Sequence, residues 1–135
     1  MSQLPPSENS ILYVVRCTFS PGSASIAERW LTWLRERHLA EVLAAGAVSA
    51  EVVRIQGTAE IYEVHYRFGC MQDFERYEQF EAPKLRADGL NRFPLTLGLQ
   101  YERRVGQQLF ALNSSNHRQG GLLGRGDESL SQSDG

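Results

Sequence analysis

His38 and Glu41 stand three residues apart in a stretch with helical spacing of its apolar positions, so both project from one side of a helix. Such a pair can pass a proton as general acid and base, or offer two ligands to a metal ion. Two ligands make half of a helical metal motif, and no companion pair appears in the chain. The plainer alternative is a histidine that bonds a backbone carbonyl or Glu41 at the edge of a core. A second set, Arg16, Arg54, Glu63 and His65, falls on one phase of three strand-like segments. Gathered on a sheet face these residues suit a ligand site; the alternative is solvated or ion-paired side chains. No nucleophile, base and orienting group are assembled in sequence, and neither a metal nor another cofactor is expected.

These residues must be positioned by six elements in the order strand, helix, strand, strand, helix, strand. Residues 11–19 are rich in β-branched and aromatic types and read as a strand. Ser25 with Glu28 fits a capping box, which starts a helix near Ile26 that runs to about Ala45 before Gly46. Residues 48–56 and 60–68 read as a hairpin turning at Gly57. A second helix starts near Met71, breaks at Pro83, and resumes for a turn that ends at Gly89. The last strand is expected over about 95–104. Residues 1–10 read as a disordered leader, 11–105 as the domain, and 106–135, rich in Gly and Ser, as a disordered tail. Arg125-Gly126-Asp127 matches an adhesion tripeptide, a chance match in a chain of this kind.

The βαββαβ order defines the ferredoxin-like fold, α+β, a four-stranded antiparallel sheet with two helices on one face. One strand phase, Tyr13, Val15, Cys17, Val53, Ile55, Tyr62, Val64, Tyr66, Leu97, Leu99 and Tyr101, is nearly all apolar and is expected beneath the helices. The other mixes Leu12, Val14, Val52 and Ile61 with Arg16, Arg54, Glu63 and His65. A face half apolar and half ionic suits contact with a second copy of the chain around a wet cavity, so a homodimer through this open face is expected, with a small molecule as a further partner. In the first helix Ala27, Trp30, Leu31, Leu34, Val42 and Ala45 share an arc that also holds His38 and Glu41, while Leu39 and Leu43 point away. Trp30 and Trp33 read as core, or as a stacking surface for an aromatic ligand. Cys17 reads as a small core residue.

The net charge of −2 disfavours a nucleic-acid partner, which needs a basic face, and an anionic membrane surface. No apolar run reaches the roughly 20 residues that span a bilayer, and the N-terminus lacks a signal-peptide pattern. Two cysteines make no disulfide framework, so a cytoplasmic protein with reduced thiols is expected.

Trp30-x-x-Trp33, His38, Val42-Leu43-Ala44-x-Gly46, Arg54, Tyr62-x-Val64-x-Tyr66, Phe74-x-x-Tyr77 and Ala82-Pro83-x-Leu85-Arg86-x-x-Gly89-Leu90-x-x-Phe93 together resemble a small bacterial family of domains of unknown function within the dimeric α+β-barrel group. The likeness spans about Ile11 to Val105. It implies a ferredoxin-like dimer. The wider group includes small monooxygenases, lactone isomerases and haem-related enzymes, but none of their catalytic residues maps onto this chain. The expected function is therefore a dimeric ligand- or partner-binding module. The alternative is a cofactor-free enzyme acting on a small organic substrate, with His38 or His65 as acid–base and Arg16 or Arg54 as anchor. An RNA-recognition module has the same element order, but the third strand, Glu60 to Tyr66, lacks its glycines and basic residue.

Overall fold

A computed structural model describes residues 10–114. Residues 1–9 of the expected leader, residues 115–135 of the expected tail and the Arg125-Gly126-Asp127 tripeptide lie outside the described residues; against expectation Ser10 is buried, its carbonyl accepting from the Gln108 amide at 2.9 Å, and Gly106 and Gln107 belong to the last strand. Strand β1 (Ile11–Phe19) leads into helix α1 (Ala24–Trp33), a π-helical turn (Leu34–His38) and helix α2 (Leu39–Ala44). Strands β2 (Ser49–Arg54) and β3 (Glu60–Phe68) follow, then helices α3 (Met71–Phe80) and α4 (Ala82–Arg92), a 3₁₀ turn (Leu95–Leu97) and strand β4 (Leu99–Gln107). The sheet is antiparallel with strand order β2-β3-β1-β4. This is the ferredoxin-like arrangement.

Aromatic side chains fill the space between sheet and helices. Tyr13, Phe19, Trp30, Tyr62, Tyr66, Phe68, Phe74 and Tyr77 are all buried. They meet in tilted and edge-on pairs, such as Phe19 on Trp30 at 5.4 Å between centroids, the geometry that ring quadrupoles favour. Cys17 is enclosed among them, and burial pushes its thiol up to about 12, so it is an inert core residue.

Four local features depart from expectation. The first helix opens two residues earlier than the Ser25 capping box implies: Ser23 stands at its N-terminus without a side-chain cap. The helix is also not continuous, because the π-helical turn inserts one residue and slips the phase by roughly 100°. Leu39, expected to point outward, is thereby turned onto the core. Gly89 does not end a helix but lies buried inside α4. Leu97 and Thr96 belong to the 3₁₀ turn; Gly98, at φ +100°, turns the chain into β4, which runs on through Gly106 and Gln107.

The strand phases hold for β1, β3 and the part of β4 from Leu99 on, and fail for β2. Val52 pairs with Val64 and Arg54 with Tyr62, so both lie on the helix-covered phase, and Val53 pairs with Glu63 on the open one. The adjacent valines allow either phase, and the sheet register decides between them.

Candidate functional site

The six candidate residues separate onto opposite faces of the sheet. On the open face Glu63 is 7 % exposed and central. Its Oε2 accepts hydrogen bonds from Arg16 Nε at 2.9 Å and Arg104 Nη2 at 3.2 Å, and Arg16 Nη2 lies at 2.8 Å. Its Oε1 is 2.9 Å from His65 Nε2, and the other ring nitrogen of His65 is 3.7 Å from Glu51. Register explains the convergence. Arg16 lies directly across from Glu63, Val14 lies between His65 and Arg104 on its two neighbouring strands, and residues two apart on a strand share a face. The hydrogen bonds with His65 and Arg16 hold the Glu63 carboxyl below its ordinary range, against the opposing effect of burial. The arrangement brings together Arg16, Glu63 and His65 as expected and adds Arg104 and Glu51. A shallow hollow bounded by Leu12, Glu51, His65 and Arg67 adjoins it.

Arg54 does not join this group. It lies at the sheet edge on the opposite face, its guanidinium 5.6 Å from the Tyr62 ring centroid and 3.7 Å from Glu60. The slip in β2 phase is the reason.

His38 and Glu41 lie on the helix side. Their nearest polar atoms, Nδ1 and Oε1, are 3.7 Å apart, too far for a hydrogen bond. The His38 ring instead stacks on Trp33 with centroids 4.4 Å apart and planes 20° from parallel. Trp33 in turn lies over Gly89, where a Cβ would come within 3.3 Å of its ring. The glycine is there for that close approach. Burial pushes the His38 imidazole below its ordinary pKa, with Glu41 and Asp88 opposing the shift, so the ring favours its neutral form.

His38 and Trp33 help line a narrow cavity of about 60 Å³ between the sheet and helices α1 and α4. Both tryptophans of the chain line it, with Tyr13, Tyr66, Tyr77 and Tyr101. Trp30 Nε1 donates to the Tyr101 hydroxyl at 3.0 Å, and Arg86 donates to the Tyr13 hydroxyl at 2.8 Å and to Glu78 at 2.7 Å. Trp33 Nε1 and His38 Nδ1 are buried and have no hydrogen-bond partner. A buried polar atom left unpaired is unusual in a folded protein and calls for a reason. Reading the sequence singles out His38 and the tryptophans here and puts Tyr13, Tyr66 and Tyr101 beneath the helices as core, but does not single out Arg103. The signal was present in Tyr66, Tyr101 and Arg103, which alternate onto the helix-covered phase. Among the described residues no group of three or more His, Cys, Asp or Glu side chains is arranged to hold a metal ion, and no helix is long and apolar enough to cross a membrane.

Fold and cavity together define a ferredoxin-like α+β protein of the kind that forms dimeric α+β barrels. Several solved structures share that fold. SnoaB, a cofactor-independent oxygenase from Streptomyces nogalater, is 16 % identical and superposes with a TM-score of 0.56 over 77 % of this chain and 97 % of its own. A dimeric ferredoxin-like protein from an uncultured marine organism is 12 % identical, with a TM-score of 0.57 over 78 % of this chain and 100 % of its own. A putative antibiotic biosynthesis monooxygenase from Deinococcus radiodurans is 11 % identical, with a TM-score of 0.54 over 76 % and 96 %. No curated protein sequence matches the chain. Residues 10–98 match the family model Domain of unknown function (DUF4286), and the chain belongs to that family.

Proposed function

We propose that this protein is a small dimeric binding protein that holds an organic ligand in the cavity between its sheet and helices. The observation that carries this reading is the buried, unpartnered indole N–H of Trp33, a residue that lines a cavity walled by aromatic rings. A ligand supplies the missing acceptor and fills the slot between flat side chains. Both tryptophans line the site, so intrinsic fluorescence reads it directly. Titration of the full chain with small aromatic compounds is expected to quench or shift that fluorescence saturably. A response to none of a broad set of aromatic and acidic fragments would reject the reading.

The dimer is proposed through the open sheet face. Glu63 and Glu51 set two carboxylates against the two guanidiniums of Arg16 and Arg104, with His65 between the acids, so a second copy can cover the set without a net charge. Leu12, Val14, Val53 and Ile61 supply the apolar share of the contact. The chain past β4 adds three apolar side chains, Leu109, Phe110 and Leu112, each 71–82 % exposed on a lone protomer. Such side chains in a row suit burial against a partner. The solved relatives described as dimeric share this fold. Sedimentation of Ile61→Asp against the native chain tests it: the native chain is expected to run as a dimer and the variant as a monomer, and a monomeric native chain at micromolar concentration would refute it. Two free thiols, Cys17 and Cys70, support a place in the cytoplasm.

A second reading, a cofactor-free enzyme on a small organic substrate, is favoured by His38: an imidazole held toward its neutral form among the residues that line the cavity is equipped to take a proton. SnoaB, described as a cofactor-independent oxygenase, has the same fold. On this reading a ligand found by titration is consumed on incubation, and His38→Gln binds it without consuming it. A ligand recovered intact leaves the binding reading alone.

A further inference from the structure

The polar groups around the cavity are of one kind. Arg86 and Arg103 line it, and no carboxylate does. Arg86 is already engaged by Glu78 and the Tyr13 hydroxyl. Arg103 is different: among the described residues it has no carboxylate partner, and its guanidinium lies 5.2 Å from the ring centroid of Tyr101. Tyr66 and Tyr77, 3 % and 4 % exposed, also line the cavity. Trp33 Nε1 is unpartnered and can only donate. The groups left over are thus a cation and an N–H. A buried N–H without an acceptor asks for an acceptor on the occupant, and a guanidinium without a carboxylate partner at the mouth suits an anion. The walls are flat rings, stacked or tilted, which ask for a planar one.

We propose that the cavity takes a planar aromatic acid, with Arg103 pairing its carboxylate or other anionic group and the Tyr66 and Tyr77 hydroxyls donating to its oxygens. This rests on the cavity being the ligand site. Arg103 sits on β4, an edge strand, at an exposed position. It can therefore meet a charged group that stays near the mouth while the rings of the ligand enter between Trp33, Tyr66 and Tyr101.

The test pairs an acid with its neutral counterpart: naphthalene-2-carboxylate and naphthalene-2-methanol, titrated into the full chain by tryptophan fluorescence. A charge-assisted bidentate contact is expected to favour the acid by roughly tenfold or more. Arg103→Gln should abolish that preference, bringing the affinity for the acid down to that for the alcohol. Arg103→Lys should keep part of it, since lysine retains the charge but not the planar fork. Arg103 is exposed, so both variants are expected to fold, and circular dichroism verifies that. Equal binding of acid and alcohol, or a preference that survives Arg103→Gln, would overturn the aromatic-acid proposal and leave the cavity standing as a site. Absence of any response to either probe would overturn both.

Discussion

The two faces of the sheet treat their polar clusters differently, although the open face too holds one buried atom without a partner, Arg67 Nη1. On the open face every member of the ionic set has found another: Glu63 is shared by Arg16, Arg104 and His65, and Glu51 stands behind His65. On the helix side polar atoms are buried and left unmatched, Trp33 Nε1 and His38 Nδ1 first among them. A closed network lends itself to being covered by another protein surface, because nothing in it awaits a partner. An open one lends itself to a ligand. The residues most evidently suited to chemistry in the sequence are therefore split, and the half with charges facing each other is the less reactive half.

The largest test of this contrast is Trp30→Ala. It removes a buried ring that also donates to Tyr101, and is expected to lower unfolding free energy by about 3–5 kcal/mol in chemical denaturation and to abolish fluorescence-detected binding. Equal loss of binding from an open-face change would break the contrast. Glu63→Leu supplies that comparison. It strands Arg16 and His65 beside an apolar side chain and is expected to cost about 1–3 kcal/mol, while ligand affinity, measured at a temperature where the variant is folded, stays unchanged.

Acid titration separates the two regions by pH. The His38 pKa is lowered from 6.5 in the folded chain, so as pH falls below that value the unfolded chain takes up the proton first. This contribution is fully present above 6.5 and is lost below it. The Glu63 pKa is lowered from 4.5, so its contribution is present above that value and is lost as pH falls through the folded one. Melting temperature against pH should accordingly show two declines. His38→Gln removes the one that starts near 6.5, and Glu63→Gln the one that starts near 4.5. The smallest expected effect is Tyr66→Phe. The hydroxyl it removes is proposed to serve the ligand, so stability should change by less than about 0.5 kcal/mol while affinity for an acceptor-bearing ligand falls. A large stability loss would mean that the hydroxyl is already satisfied and the cavity is closed as it stands.

Much of this architecture was legible in the residues. Alternation in β1 and β3 separated Tyr13, Tyr62, Val64 and Tyr66 from Val14, Glu63 and His65 correctly, because in those strands one phase is consistently apolar. In β2 the run Val52-Val53 satisfies both phases, so the register of an edge strand could not be read without its neighbour, and Arg54 was assigned to the wrong face. The arc of the first helix placed His38 inward, but the π-helical turn that rotates Leu39 onto the core leaves no mark in the spacing of apolar residues. The cavity itself was hidden for a different reason. Tyrosines on a buried phase read as core, and only coordinates show that Tyr66 and Tyr101 also line a cavity.

The most direct measurement is a two-dimensional ¹H–¹⁵N spectrum of the full chain titrated with naphthalene-2-carboxylate. Ligand binding on the helix side should move the indole N–H of Trp33 downfield as it gains an acceptor, with smaller shifts around Gly89 and Arg103, and leave the amides of Arg16, Glu63 and His65 in place. Saturable shifts confined to those three open-face residues, with the Trp33 indole unmoved, would contradict the account.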